Sequence, residues 1–414
     1  MTFDMNVLFD ATWIGTHLKQ NIMHGGLRVI YELTNRLENS NEVNLFYSSN
    51  KYDRAIINNL VSFIEENKYS SLQNKIANNQ TETFKILNYL NSKTNSNLIK
   101  NWSSKQFLKS NIFDKNMMKR MDIYHSPIEA IPDEIKKYKN VKRVFTSHDL
   151  MPFTRPDLAP PSFVELLKPA YDSIDRETKV ICVSEFTKSE LLNYRKDLDE
   201  SQIETVYLGA NKNVFFPNLD ETKFLVLSKK YNFNFEKYLL CLNRNQKYKN
   251  TEHIIEAYIR VVNDNKNSDL GLVLIGTFDN VEIKKSIMDK YKGFKHIHFI
   301  EYIPDDELSV FYSNALSFVY MSLYEGFGLP IIEAMQCGTP VISSNQASLP
   351  EIVKGYGICI NPFDVELLSD QMCSILYNPE LQNKMVNNSL ERSKFFSWEK
   401  NLEETVQVYK KAIN

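Results

Sequence analysis

Short apolar runs recur along the chain, spaced to leave room for a helix between most neighbouring pairs. Residues 6–9, 43–48, 122–127, 142–150, 179–184 and 203–209 form one series; 238–242, 272–276, 296–300, 315–321 and 357–360 form a second. Runs of this length, apolar and β-prone, read as strands buried in a sheet. Between them apolar positions fall at helical spacing, as at Val29, Ile30, Leu33 and Leu37, and again at Ile254, Ile255, Ala257 and Tyr258. Strand and helix in alternation predict an α/β protein. At 414 residues the chain is too long for one ordinary core, and the pattern starts afresh after a linker at 210–220, so two domains are expected. Residues 51–120 break the rhythm: they read as mostly helical and are rich in Asn, Lys and Ser. Residues 11–21, after the first strand, read as a loop.

One stretch concentrates the candidate chemistry: Ser322-Leu-Tyr-Glu-Gly-Phe-Gly-Leu-Pro-Ile-Ile-Glu-Ala-Met-Gln-Cys-Gly338. A strand precedes it, and Ile331, Ile332, Ala334 and Met335 then follow helical spacing. Pro330 stands where a helix begins, a position at which its missing N–H is no loss. Gly326 and Gly328 put no Cβ in the turn to keep a ligand off the backbone. A bare turn feeding a helix N-terminus is an anion site, because free N–H groups and the positive dipole end face outward together. Glu325 and Glu333 flank it, eight positions apart. Carboxylates repel phosphate but accept hydrogen bonds from adjacent hydroxyls of a sugar or ribose. The combination points to a ligand with phosphate in the middle and a polyol at each end, a nucleotide-sugar.

The Glu-x7-Glu spacing inside EGFGLPIIEAMQCGTPVI resembles the retaining GT-B glycosyltransferases of the family 4, or glycosyl transferases group 1, type. The likeness covers almost all of the second half and thins to scattered motifs in the first. It implies a GT-B fold, two Rossmann-like domains facing a central cleft. Residues 1–212 would form the acceptor side, 213–397 the nucleotide-sugar-binding domain, and the helix 398–414 would cross back to complete the first. The implied reaction moves a hexosyl group from a nucleoside diphosphate to an acceptor hydroxyl, with retention, in the synthesis of a bacterial cell-surface polysaccharide or lipid-linked glycan. By resemblance, Glu325, Gly326, Phe327, Gly328, Leu329 and Glu333 hold the donor, Gly25 and Gly26 close over its diphosphate, and the backbone near Ile303 meets its base. Arg244 and Lys249 match a basic pair that neutralises the leaving diphosphate. The match is imperfect, since Asn243 and Tyr248 stand where many relatives carry Gly and Arg, and Lys247 is a candidate to share the role. His148 resembles the strand-end histidine that touches the donor sugar, and Asp149 beside it is a catalytic or acceptor contact. No side chain stands out as a general base; relatives are thought to let the leaving phosphate oxygen take the acceptor's proton. No metal or cofactor is expected, the nucleotide-sugar being a co-substrate. A phosphorylase or sugar-nucleotide epimerase on the same fold, or a non-catalytic partner subunit, are the competing readings.

Ligands of open α/β sheets bind beyond the carboxyl ends of the strands, which places His125, His148 and Asp149 in the crevice. Ser184 reads as the N-cap of a helix. Asp197-Leu-Asp199 lies in a charged loop with no strand before it and reads as surface, not a metal site. His296 and His298 alternate with apolar residues, as on an outer strand. Residues 84–120 hold eight basic residues against one acid, interleaved with Trp102, Phe107, Leu108, Phe113, Met117 and Met118. That stretch reads either as a helical pair with a solvated basic face or as a surface for an anionic membrane or polyprenyl-diphosphate acceptor. A net charge of −2 and a pI near 6.4 argue against a general nucleic-acid binder. Five unpaired-looking cysteines with no C-x-x-C, no secretion signal and no membrane-length apolar run set the expected location as the cytoplasm, at the inner membrane face if the basic stretch engages it.

Overall fold

The computed structural model describes residues 5–17, 25–50, 113–242, 246–265, 269–276 and 296–414, together with residues 56, 59, 60, 62, 63, 290, 291 and 294. In the first half six strands, β1 (Met5–Asp10), β2 (Val43–Ser48), β3 (Ile123–Ser126), β4 (Lys142–Ser147), β5 (Thr178–Cys182) and β6 (Ile203–Thr205), form one parallel sheet in the order β2-β1-β3-β4-β5-β6. The second half repeats the plan with β7 (Lys237–Leu242), β8 (Leu270–Ile275), β9 (Ile297–Ile300), β10 (Ser317–Tyr320), β11 (Val341–Ser344) and β12 (Ile358–Ile360), ordered β12-β11-β10-β7-β8-β9. The strand order reverses between β1 and β3 in one sheet and between β7 and β10 in the other. Those are the points where an open sheet splays and can hold a ligand.

The apolar runs are explained by layers on both faces of each sheet. Tyr238, Leu240, Val273, Ile275, Phe318 and Tyr320 pack on one side of the second sheet, and Leu239, Cys241, Leu272, Leu274, Val319 and Met321 on the other. Val29, Val183 and Leu208 of the first half join the former layer, so the halves share part of a core. The last helix, Trp398–Ile413, opens on a Ser397 cap whose hydroxyl accepts from the Lys400 N–H. It begins against the second half at Trp398 and ends with Val406, Val408 and Tyr409 in the core of the first.

Several expectations are corrected. His125 does not face the crevice: it is fully buried, its ring nitrogens 2.6 Å from the Tyr409 hydroxyl and 2.8 Å from Thr146 Oγ1, tying the returning helix to the sheet. Residues 11–21 are not loop throughout. Thr12–His17 is a helix, started by the Asp10 carboxylate, which accepts from the Thr12 N–H and hydroxyl. The strand expected over 142–150 stops at Ser147, where the chain turns into the cleft. Phe113, Met117 and Met118 are buried in the first half's core and are not part of a membrane-facing surface. The rest of the basic stretch, 84–112, lies outside the described residues. Ser184 is the N-cap expected, accepting from the Thr187 N–H. Asp197 is held by Arg195, and Asp199 caps a short 3-10 turn in a capping box. Among the described residues no helix is long and apolar enough to cross a membrane, and no cluster of three or more His, Cys, Asp or Glu is placed to hold a metal.

Candidate active site

The turn 325–328 connects β10 to the helix Leu329–Gln336, which starts from Gly328 at φ +116°, a conformation that favours glycine. Its carbonyls are tied down. Ser348 Oγ donates to the oxygens of Glu325 and Phe327 at 2.9 and 2.7 Å. Ser184 Oγ and Thr187 Oγ1, from the first half, donate to that of Gly326 at 2.7 and 3.1 Å. Fixing three successive carbonyls holds the turn in one conformation. In the first turn of the helix that follows, Pro330 has no N–H and the Ile331 N–H donates to the Gly328 carbonyl at 3.0 Å, so the amides a ligand can meet are those of the turn itself, Gly326 to Leu329. Gly326 serves an end other than the expected ligand approach. A Cβ there would lie 1.9 Å from the His148 carbonyl and 2.8 Å from Asp149 Cβ, so the bare Cα lets the two halves touch.

Glu325, on the rim of the cleft, meets Lys249. Its Oε1 lies 2.7 Å from Lys249 Nζ and 2.8 Å from the Tyr320 hydroxyl, and the same lysine reaches that hydroxyl at 2.5 Å. Lys249 comes from a 3-10 turn after β7, closed by Asn250 in the left-handed region and held by the Asn250 side chain on Pro362 O. It also sits over the Tyr320 ring, 4.8 Å from its centre. Side-chain exposures of 11% for the lysine and 16% for the glutamate leave the pair shielded yet reachable. Arg244 and Asn243 lie outside the described residues.

His148 and Asp149 arrive from the end of β4. His148 Nε2 is 2.8 Å from the Pro127 carbonyl, and burial lowers the pKa of its imidazole. Asp149 accepts from the Met151 N–H at 3.1 Å, and its carbonyl accepts from the Tyr171 hydroxyl at 2.6 Å. Burial, with Glu325 and Glu190 adding negative charge nearby, pushes its carboxyl up to about 6. Glu325, Gly326, His148, Asp149 and Lys249 are therefore brought together, although they come from three separate stretches of chain. Beside them a cavity of about 270 Å³ opens between the halves, lined by Met151, Leu158, Pro160, Phe163, Lys247 and Tyr248 among others.

Glu333 lies further along the same helix, with only 3% of its side chain exposed. Arg28 crosses from the first half to meet it, Nη1 at 2.5 Å from Glu333 Oε1 and Nη2 at 2.7 Å from Asp305 Oδ1. Arg28 follows Gly25 and Gly26 in the helix Gly25–Glu38, and a Cβ added to either glycine meets nothing within 4 Å. Ile303, buried, lies two residues before Asp305. Arg28 thus joins the helix start that Gly25 and Gly26 open to Glu333 and to Asp305, two residues past Ile303, while Glu325 and Lys249 meet before the helix Leu329–Gln336 begins. Sequence reasoning missed Arg28, Asp305, Tyr320 and Glu351. A cation two residues after a Gly-Gly helix start is visible in the sequence, but nothing local names its partner 305 residues away. Glu351 accepts from the Glu185 and Phe186 N–H groups at 2.9 and 3.2 Å and from the Tyr207 hydroxyl at 2.6 Å, a second bridge between the halves.

Two doubly wound halves closed over a glycine turn, with a returning C-terminal helix, make this a GT-B glycosyltransferase fold. The model of the family described as glycosyl transferases group 1 matches residues 226–392. The O-antigen chain mannosyltransferase B of Escherichia coli is 30% identical over 293 residues, 70% of this chain and 74% of that protein. The serotype-specific mannosyltransferase WbdA of the same organism is 25% identical over 62% of this chain, which spans about a third (32%) of its length. A crystal structure of a glycosyltransferase from Rickettsia africae superposes with a TM-score of 0.69 over 99% of both chains at 19% identity, a likeness of fold. The chain belongs to the glycosyl transferases group 1 family, and it is a glycosyltransferase.

Proposed function

We propose that this glycosyltransferase moves a hexosyl group, mannosyl by analogy with its O-antigen relatives, from a nucleoside diphosphate to a hydroxyl of a bacterial cell-surface polysaccharide or its lipid-linked precursor. The observation that carries the reading is the meeting of Lys249, Tyr320 and Glu325 with His148 and Asp149 at the start of the helix Leu329–Gln336. Negative charge grows on the departing diphosphate, so the site needs cations and N–H groups already aimed there. Lys249 and the amides of Gly326 to Leu329 supply them, with Arg244 as the second cation, and in this reading no metal is required. Glu325 exchanges its contact with Lys249 for the sugar hydroxyls, and Lys249 turns to the phosphate. His148 touches the sugar from the opposite wall. Glu333 takes the ribose hydroxyls, and the base lies against the backbone at Ile303.

The acceptor enters from the first half, past the cavity beside Asp149. Asp149 orients its hydroxyl, and the leaving phosphate oxygen takes the proton on the same face, which gives retention. The work is placed in the cytoplasm, at the inner membrane face where a lipid-linked acceptor is presented.

A panel of UDP-, GDP- and dTDP-sugars tests the donor, because a bound donor raises the melting temperature by mass action. With the donor that stabilises the protein, Glu325→Ala is expected to remain folded, with a melting temperature lowered by the loss of its bonds to Lys249 and Tyr320, and to lose at least about 100-fold in turnover. Undiminished turnover in that variant overturns the assignment of the site. NMR of the product's anomeric proton decides retention.

A further inference from the structure

We propose that Arg28 is a positioning residue of the donor site: without nucleotide it occupies the place of the ribose hydroxyls on Glu333, and it yields that place when a nucleotide enters. The inference rests on the reading of Glu333 as the ribose acceptor.

A carboxylate as enclosed as that of Glu333 needs donors, because burying it unpaired is costly. In this structure the donor is the Arg28 guanidinium, at 2.5 Å. Its flat fork presents N–H groups side by side, one to Glu333 and one to Asp305, much as a ribose presents two neighbouring hydroxyls. With 3% of the Glu333 side chain exposed, a diol reaches that carboxylate only when Arg28 gives way. The outer side of the arrangement permits this: 22% of the Arg28 side chain and 41% of that of Asp305 are exposed. Arg28 can therefore let go of Glu333 and keep Asp305, leaving its charge beside the incoming nucleotide. The buried Tyr312 hydroxyl also lies close to Glu333 and stays beside that carboxylate when Arg28 withdraws.

Helix position explains why Arg28 reaches Glu333. Val29, next to it, is buried in the shared core with Phe327 and Ile331, which pins the first turn of the helix Gly25–Glu38 against the second half. Among the described residues nothing lies within 4 Å of a Cβ added at Gly25 or Gly26, which leaves a displaced side chain room at the start of that helix. The physical consequence is a competition. The ribose gains its contact with Glu333 only after an existing ion pair is broken, so the two hydroxyls contribute less to affinity than they otherwise would.

The test is the ratio of affinities for a nucleoside diphosphate and its 2′,3′-dideoxy form, measured calorimetrically at pH 8 with the GDP pair and the UDP pair. Taking a ratio cancels the attraction of Arg28 for the phosphates, which both ligands share. The wild type is expected to show a ratio only a few-fold above one. Arg28→Met is expected to raise it about tenfold, Arg28→Lys to give an intermediate value, and Glu333→Gln to bring it to about one with or without Arg28. A ratio that stays unchanged or falls in Arg28→Met, while Glu333→Gln lowers it, overturns the role of Arg28 and leaves the donor site standing. A ratio that Glu333→Gln does not change shows instead that Glu333 is no ribose ligand. If Arg28→Met does not fold, Arg28→Lys carries the same comparison.

Discussion

Gly326 lacks a side chain because the carbonyl of His148 stands where one would be. An added methyl at 1.9 Å from that oxygen has no soft neighbour to displace, since the obstacle is backbone. Gly326→Ala must push the turn away from the His148–Asp149 strand end. A displacement of about 1 Å at the reacting groups costs on the order of 100-fold in kcat/KM; steady-state kinetics should show that loss with binding of free nucleotide much less affected. His125 makes a different prediction. Burial lowers its pKa from an ordinary value of 6.5 to about 3. Between those values the unfolded chain binds a proton that the folded one does not, so stability falls as pH drops through that window. Asp10 works the other way: burial raises it from 3.8 to about 7, so its contribution falls as pH rises between those values. His125→Gln should therefore lessen the acid-side loss without abolishing it, because burial lowers the His148 imidazole as well; the check is a smaller drop of the urea midpoint between pH 6 and pH 4 than in the wild type. Residues of this kind separate what was legible from what was not. Glu325, Glu333 and Lys249 could be singled out as candidates because each stands at or beside a turn between strand and helix, where the sequence marks bare backbone and charge together. Arg28 and Tyr320 could not, because their roles depend on partners brought in by the closure of the molecule.

Among the elements, buried parallel strands were the easiest to read, since apolar residues on both faces leave an unbroken run. The segment Leu270–Ile275 is buried throughout, and its bounds in the structure differ from the sequence reading by two residues at the start and one at the end. The run 142–150 extends past the strand because Leu150 resumes the apolar pattern after Ser147, although it packs in the first half's core from a turn, next to Met151 on the cavity wall. The final helix was read from resemblance, and its anchoring shows why it returns. Asn401 Nδ2 donates to Tyr207 O at 2.9 Å, Gly209 leaves room where a Cβ would meet Trp398 N at 2.4 Å, and Tyr409 closes the core above His125. Tyr409 is fully buried and edge-on to the His125 ring at 5.6 Å. Removing it in Tyr409→Ala empties a large aromatic site and also strips His125 of a hydrogen-bond partner. The expected cost is about 3–5 kcal/mol, the range for large aromatic truncations in a core, read as a lower urea midpoint with an unchanged slope.

At the scale of the whole molecule the question is what makes two domains behave as one. The shared core at Val29, Val183 and Leu208 is one answer, and the polar bridges around the cleft are another. Of these, Glu351 is the most concentrated. Its two carboxylate oxygens accept the first N–H groups of the helix Glu185–Tyr194 and a tyrosine hydroxyl, so one side chain in the second half caps a helix in the first. A carboxylate at a helix N-terminus is favoured both by hydrogen bonding and by the dipole. Glu351→Ala leaves those N–H groups and the Tyr207 hydroxyl without that acceptor, which should weaken the contact between halves by about 1–3 kcal/mol. Neither core is touched, so the domains should keep their own stabilities and lose their coupling. Calorimetry is expected to resolve two transitions where the wild type shows one, and, if the donor spans both walls of the cleft as proposed, saturating donor should merge them again. A single transition shifted as a unit argues instead that the remaining contacts, the shared apolar core, Ser184 and Thr187 on the Gly326 carbonyl and Arg28 on Glu333 and Asp305, couple the halves without Glu351.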